Sequence, residues 1–132
     1  MPHLSLDYGR EVEEHVDIPA LCRTLRDALA ATGIFELGGI RVRAHRADAV
    51  AIADDAERYG FIDMELRIGE GRSEEVRRRV AEAVYDAAEA ALRPQIRDLP
   101  FMLSLELREI ATAFSIKRWS SVHEHVAVRK AG

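Results

Sequence analysis

The 132-residue chain contains a single cysteine, Cys22, so no internal disulfide can form and a reducing compartment is expected. Cys22 stands beside Leu21 and Leu25 on what reads as the core face of a helix, with no neighbour placed to lower a thiol pKa. Long apolar runs are missing too: none approaches the roughly 18 residues of a membrane span. The opening Met1-Pro2-His3-Leu4-Ser5 has neither the basic region nor the apolar run of a signal peptide, so a cytoplasmic protein with no membrane partner is expected. A positive balance is absent as well: the net charge of −4 and pI near 5.7 argue against a nucleic-acid partner. Lysine is scarce, since 17 of the 19 basic residues are arginine. The planar, permanently charged guanidinium fork suits carboxylates and phosphates, so an acidic chain with this bias is suited to holding small anions.

What remains is ordinary for a soluble globular domain: 48% hydrophobic and 32% charged residues. The length fits one domain, residues 1–132, with a core that needs no covalent staple.

One pattern runs along this chain twice. Residues 3–8 alternate, with Leu4 and Leu6 on one face and Ser5 and Asp7 on the other, which predicts a half-buried strand. Asp17 can cap a helix with Pro19 in its first turn; Leu21, Leu25, Ala28 and Leu29 form its stripe, and Gly33 stops it. A second strand follows at Ile40-Arg41-Val42-Arg43-Ala44-His45. The later half repeats the order. A strand over 61–68 puts Ile62, Met64, Leu66 and Ile68 on one face; Ser73 then caps a helix with Glu74 and Glu75 in its first turn, where the helix dipole favours acids. Val76, Val80, Ala83, Val84, Ala87 and Ala91 make that helix's buried stripe, and 101–107 is the last long strand. Two pseudo-repeats result, at about 2–47 and 60–110, plus a C-terminal tail that carries one short strand near Val122.

The expected fold is therefore α/β in the α+β sense: two fused β-α-β units forming a four-stranded sheet with two helices on one face. Strands within a unit run parallel, because a helix crosses over between them. Leu, Val and Met are expected on both faces of several strands, so the face without helices should be covered by other subunits.

Four features could carry chemistry. Pro2 follows Met1 directly, and methionine removal would expose a secondary amine that is a candidate base near neutral pH. The turn Gly69-Glu70-Gly71-Arg72-Ser73 puts a cation and free N–H groups at a helix start, suited to a carboxylate or phosphate, although a surface arginine on an ordinary turn reads the same way. Arg41 and Arg43 alternate on a strand expected inside the sheet, where they need an anionic ligand or salt bridges to the plentiful acids. His123-Glu124-His125 offers two histidines on one face if extended, but no third ligand of suitable spacing, so no metal is expected. Taken together, Pro2, Arg41 and Arg72 describe a base that moves a proton within a polyanionic substrate.

The blocks Pro2-His3-Leu4, Asp17-Ile18-Pro19-Ala20-Leu21, Ala30-Ala31-Thr32-Gly33-Ile34-Phe35, Gly38-Gly39-Ile40-Arg41-Val42-Arg43-Ala44-His45 and Ile68-Gly69-Glu70-Gly71-Arg72-Ser73 go further. Through them, and along nearly the whole chain, the sequence resembles the 5-carboxymethyl-2-hydroxymuconate delta-isomerases of the tautomerase superfamily. The Glu70-Gly71-Arg72-Ser73 turn is also similar to one near the start of the much shorter 4-oxalocrotonate tautomerases, in keeping with two short units fused. The resemblance implies a tautomerase-like homotrimer whose three sheets surround a central core, with one site per subunit. It implies Pro2 as catalytic base, with Arg41 and Arg72 as substrate-binding residues and Arg43 in the same block. It implies an isomerase without cofactor or metal, moving a proton from the 2-hydroxyl to carbon 5 of a dienol tricarboxylate in aromatic (homoprotocatechuate) catabolism.

The chain departs from the family pattern at Asp63, where a histidine is common. It departs again at Ser120-Ser121, in place of an Asn-Asn pair, and at Asp7-Tyr8-Gly9, in place of Glu-Tyr-Ser. These changes bear on the substrate. One alternative is another superfamily enzyme acting on a simpler 2-oxo or unsaturated acid; a hydratase would need a carboxylate such as Glu70 or Glu106 beside Pro2. The other is a trimeric binding protein without turnover.

Overall fold

The computed structural model describes residues 1–131. Strands β1 (His3–Gly9), β2 (Arg41–Ala47), β3 (Gly60–Gly69) and β4 (Phe101–Ile110) form one sheet in the order β2-β1-β3-β4. β1 pairs parallel with β2, and β3 parallel with β4, while the central β1 and β3 run antiparallel. Helices α1 (Ile18–Ala31) and α2 (Glu74–Leu92) supply the two crossovers. Each half of the chain is thus strand, helix, strand, as the alternating and helical periods predict.

The helix ends follow local chemistry. Asp17 Oδ1 accepts the Ala20 N–H at 3.0 Å, and Ser73 Oγ accepts that of Val76 at 3.2 Å. Gly33, just past α1, adopts φ +73°, a left-handed conformation that turns the chain away at little cost to glycine.

Both helices pack on one face of the sheet. Leu21, Leu25 and Leu29 of α1 and Val80, Val84, Ala88 and Leu92 of α2 close over Leu4, Leu6, Ile62, Met64, Leu66 and Ile68. Leu4, Leu6 and Leu25 are fully buried, so truncating any of them to alanine would remove about 2–5 kcal/mol of stability.

Three expectations need correction. The strand carrying Arg41 and Arg43 is not interior: β2 is an edge strand, and both arginines are exposed. Nor is the open face built from Leu, Val and Met. It carries His3, Ser5 and Asp7 of β1, Arg41, Arg43 and His45 of β2, Asp63, Glu65 and Arg67 of β3, and Ser104, Glu106 and Arg108 of β4; its apolar members are Phe61, Met102, Ile110 and Ala47. Strict alternation sends nearly every aliphatic strand residue to the helix side. Finally, the tail near Val122 is not a strand but helix α3 (Val122–Ala131), with Glu124 in its first turn and Arg129 and Lys130 in its last, charges that complement the dipole.

Candidate active site

The chain terminus lies where the edge of β2, the β3–α2 turn and the segment after β4 converge. Pro2 is fully buried, and its carbonyl accepts the Arg41 N–H at 3.2 Å, which pins the terminus to the start of β2. Three adjoining cavities have Met1 as a common wall. One is lined by His3, Arg41 and Arg67, a second by Arg41 and Ser120–Val122, and the third by Pro2, Phe35, Glu36 and Arg72.

Arg72 is held in place by its own turn. Its Nη1 donates to the Gly69 carbonyl at 3.1 Å, and its guanidinium carbon stands 5.1 Å from the centroid of the Phe35 ring, a cation–π contact. Gly71, at φ +112°, takes a conformation only glycine tolerates well, and its N–H donates to Glu109 Oε2 at 3.3 Å. Arg77 donates from Nε to the Arg72 carbonyl at 3.2 Å and pairs with Glu109 at 3.6 Å, which braces the turn further. Arg41 reaches the same space from β2, with Nη2 3.8 Å from the Met1 sulfur. The Gly38-Gly39 turn lets the backbone approach: a Cβ on Gly39 would lie 3.2 Å from that sulfur.

The electrostatics are one-sided. The terminal amine of Met1 is held below its ordinary value near 8.0, first by burial and then by the positive charges of Lys117, Arg72 and Arg41; Glu36 alone opposes them. His3 is pushed down to about 4, chiefly by burial, then by Arg41, Arg67 and Arg43. Its ring is therefore neutral at physiological pH, and its buried Nδ1 has no partner among the described residues. A terminal amine made less basic by burial and by surrounding cations gives up its proton more readily, and the same cations can hold an anion.

The structure gathers Pro2, Arg41 and Arg72 into this one region. Arg43 is two residues further along β2, opposite Ser5, and lines a separate groove with Cys22, Arg23 and Arg26. Cys22 is half-buried, and burial pushes its thiol up rather than down. In α3, histidines two apart do not share a face: His123 packs on Gly38, with Nε2 3.6 Å from Glu36 and Nδ1 3.2 Å from Ser120 Oγ. Among the described residues no three His, Cys, Asp or Glu side chains are grouped to hold a metal ion. Nor is any helix long and apolar enough to cross a membrane.

Sequence reasoning missed Arg67 and Lys117 and gave no role to His3 and Phe35, although both lay inside blocks already singled out; His123 stood out as one of a pair of histidines and not as a residue of this site. Arg67 and Lys117 reach the site through strand pairing and tail placement. Of the two carboxylates a hydratase could use, Glu70 accepts the Thr112 N–H at 3.0 Å and Glu106 faces Glu65 across the open sheet, so neither lines these cavities. Glu36 is the one acid among the described lining residues.

Comparison with known proteins identifies the family. The profile of a family described as 5-carboxymethyl-2-hydroxymuconate isomerase matches residues 2–126. The 5-carboxymethyl-2-hydroxymuconate Delta-isomerase of Escherichia coli is 33% identical over 123 residues, 93% of this chain and 97% of that one. A crystal structure of a 5-carboxymethyl-2-hydroxymuconate delta-isomerase superposes with a TM-score of 0.86 at 33% identity, covering 96% of this chain and 93% of the other. A 5-carboxymethyl-2-hydroxymuconate isomerase from Deinococcus radiodurans R1 gives 0.85 at 35% identity, covering 95% and 93%.

Proposed function

The chain belongs to the 5-carboxymethyl-2-hydroxymuconate isomerase family, and from that premise we propose how its terminus carries out the isomerisation. The protein is an isomerase, and 5-carboxymethyl-2-hydroxymuconate is its substrate, a dienol with three carboxylates. Met1 is removed, and the secondary amine of Pro2 becomes the base. The amine takes the proton of the 2-hydroxyl. As the C2–O bond becomes a carbonyl, the double bonds shift, and the same proton is returned to carbon 5. The product is the conjugated oxo acid. Atoms and charges balance within one substrate molecule, so no cofactor, metal or second reactant enters.

The observation that carries this reading is the environment of the terminus: the Met1 amine, one residue before Pro2, is depressed by burial, Lys117, Arg72 and Arg41 in a space lined by almost no acid. Because Met1 walls all three cavities, its loss joins them into one space beside Pro2. Arg41 and Arg72 hold carboxylates at the two ends of that space and offset charge that grows on oxygen as the proton leaves. Arg43 lies one pleat further from the amine, where its charge acts on His3. One positioned base of this kind is typically worth about 10²–10⁴-fold in rate.

The same reading takes the chain as one domain of two fused units and as a homotrimer in the cytoplasm. Support for the trimer comes from the two free sheet edges, β2 and β4, and from an open face that no helix of its own chain covers. Three copies would turn that polar face toward a shared interior.

Ultraviolet detection of 5-carboxymethyl-2-hydroxymuconate ketonisation, on protein whose intact mass shows Met1 gone, tests the proposal. Turnover is expected. With the amine free, no turnover on this triacid but turnover on a simpler 2-oxo acid would keep the proline chemistry and discard the substrate.

A further inference from the structure

Lys117 lies in the stretch after β4, beyond the short 3-10 turn Thr112–Phe114. The three cavities at the chain terminus differ in most of their walls, yet two residues line all of them: Met1 and Lys117. Its surroundings make this placement informative. Phe114, Ile116 and Trp119 are 89%, 76% and 94% exposed, so burial does not dictate how this stretch lies, while the lysine between them borders the site. Among the described residues no carboxylate forms an ion pair with Lys117. An unpaired ammonium beside a cavity is a ready partner for an anion.

We propose that Lys117 is a third substrate-binding cation of this site, which grips a carboxylate next to the terminal amine from the side opposite the strands. This rests on the reading of the site given above, and it completes its charge balance: a tricarboxylate meets Arg41, Arg72 and Lys117. Lys117 also holds the base ready. Of the charges that face the amine, Lys117 is the strongest depressing one, ahead of Arg72 and Arg41, with Glu36 working against them. The neutral His3 of β1, Arg67 of β3 and His123 of α3 complete the titratable wall. A lysine on a flexible stem suits this double task, since its point charge can follow a carboxylate without a fixed fork geometry.

The test uses the processed enzyme labelled with ¹⁵N-proline, as wild type, Lys117→Met and Lys117→Arg. Lys117 is exposed, so neither variant disturbs the core. In Lys117→Met the Pro2 amine is expected to titrate at higher pH than in wild type, and KM for the triacid to rise roughly 10–100-fold with a much smaller change in kcat. Lys117→Arg restores both. A purely structural lysine would move neither the amine titration nor its rescue by arginine, so an amine titration unchanged in Lys117→Met overturns the proposal. If the amine shifts and is rescued while no form, wild type included, turns over the triacid, Lys117 keeps its place beside the base and the assigned substrate falls.

Discussion

The two halves of this chain share one architecture and differ at one end. In the first, β1 follows directly on Met1-Pro2, and His3 stands opposite Arg41 on the open face. In the second, β3 begins in mid-chain, and the corresponding pair is Phe61 opposite Met102. The first end holds buried Pro2 beside cations. At the second, the Gly60 N–H donates to the Pro100 carbonyl at 2.8 Å, and Leu99 packs so tightly that a Cβ on Gly60 would lie 2.6 Å from its Cδ2. Two equivalent places result, and the proposed amine and its cations stand at the first. On the proposed reading the fold provides the position, and the terminal amine with Arg41 of β2 and Arg72 of the β3–α2 turn provides the chemistry.

The most severe way to break this contrast is to remove the free amine. An uncleaved N-terminal extension leaves the fold intact and should lower kcat by about 10²–10⁴-fold, the worth of a positioned base. Phe61→Ala with Met102→Ala, at the opposite end, should leave kcat/KM unchanged in the same assay. Equal losses from both changes would mean that the second end also takes part.

A smaller effect separates the two turns that follow the central strands. Arg72 follows β3, braced by Gly69 and Phe35; Arg10 follows β1 and is exposed. Arg72→Ala should cost roughly 10–100-fold in kcat/KM on the triacid, the range for a charge-assisted contact, whereas Arg10→Ala costs nothing. Steady-state kinetics on the two variants checks this directly.

How far the sequence reveals this asymmetry depends on the range of the interactions involved. β1, α1, β3, α2 and β4 were legible because each is written in local period and caps: Asp17 and Ser73 bond within three residues of themselves. Sheet order was not, since whether β2 lies inside or at the edge depends on β1 pairing with β3 rather than on anything within β2. Helix α3 was misread because Val122, His123 and His125 resemble a strand locally, and its weak amphipathicity leaves no apolar stripe to find. Pro2, Arg41 and Arg72 stood out through position, alternation and turn chemistry. Lys117 and Arg67 carried no such mark; only the folded chain brings residues 1, 67 and 117 to one cavity.

A third contrast lies in pH. The proposed mechanism needs a neutral amine, and burial with Lys117, Arg72 and Arg41 lowers the pKa of the Met1 amine at that terminus. The acid limb of kcat/KM should therefore lie below the ~8 of an ordinary α-amine, with activity rising as pH passes upward through it. Arg41→Ala removes one depressing charge and should move that limb to higher pH. A limb that stays put in Arg41→Ala would show that Arg41 does not act on the amine in solution.

The mildest difference between the two ends is one of stability, and it turns on His3 against Phe61. His3 titrates at about 4 in the folded chain against 6.5 when free, because its ring is desolvated and faces Arg41, Arg67 and Arg43. The unfolded chain then binds the proton more readily than the folded one. Above pH ~6.5 the ring is neutral in both states and costs nothing; as pH falls from about 6.5 toward 4, protonation progressively favours unfolding. Phe61, at the matching place, has no proton to take. His3→Phe makes the two ends alike, so its melting temperature should fall less than that of wild type between pH 7 and pH 4.5. Identical pH slopes for the two proteins, followed by circular dichroism, would mean that the acid loss arises elsewhere and that the cations beside His3 do not act on it in solution.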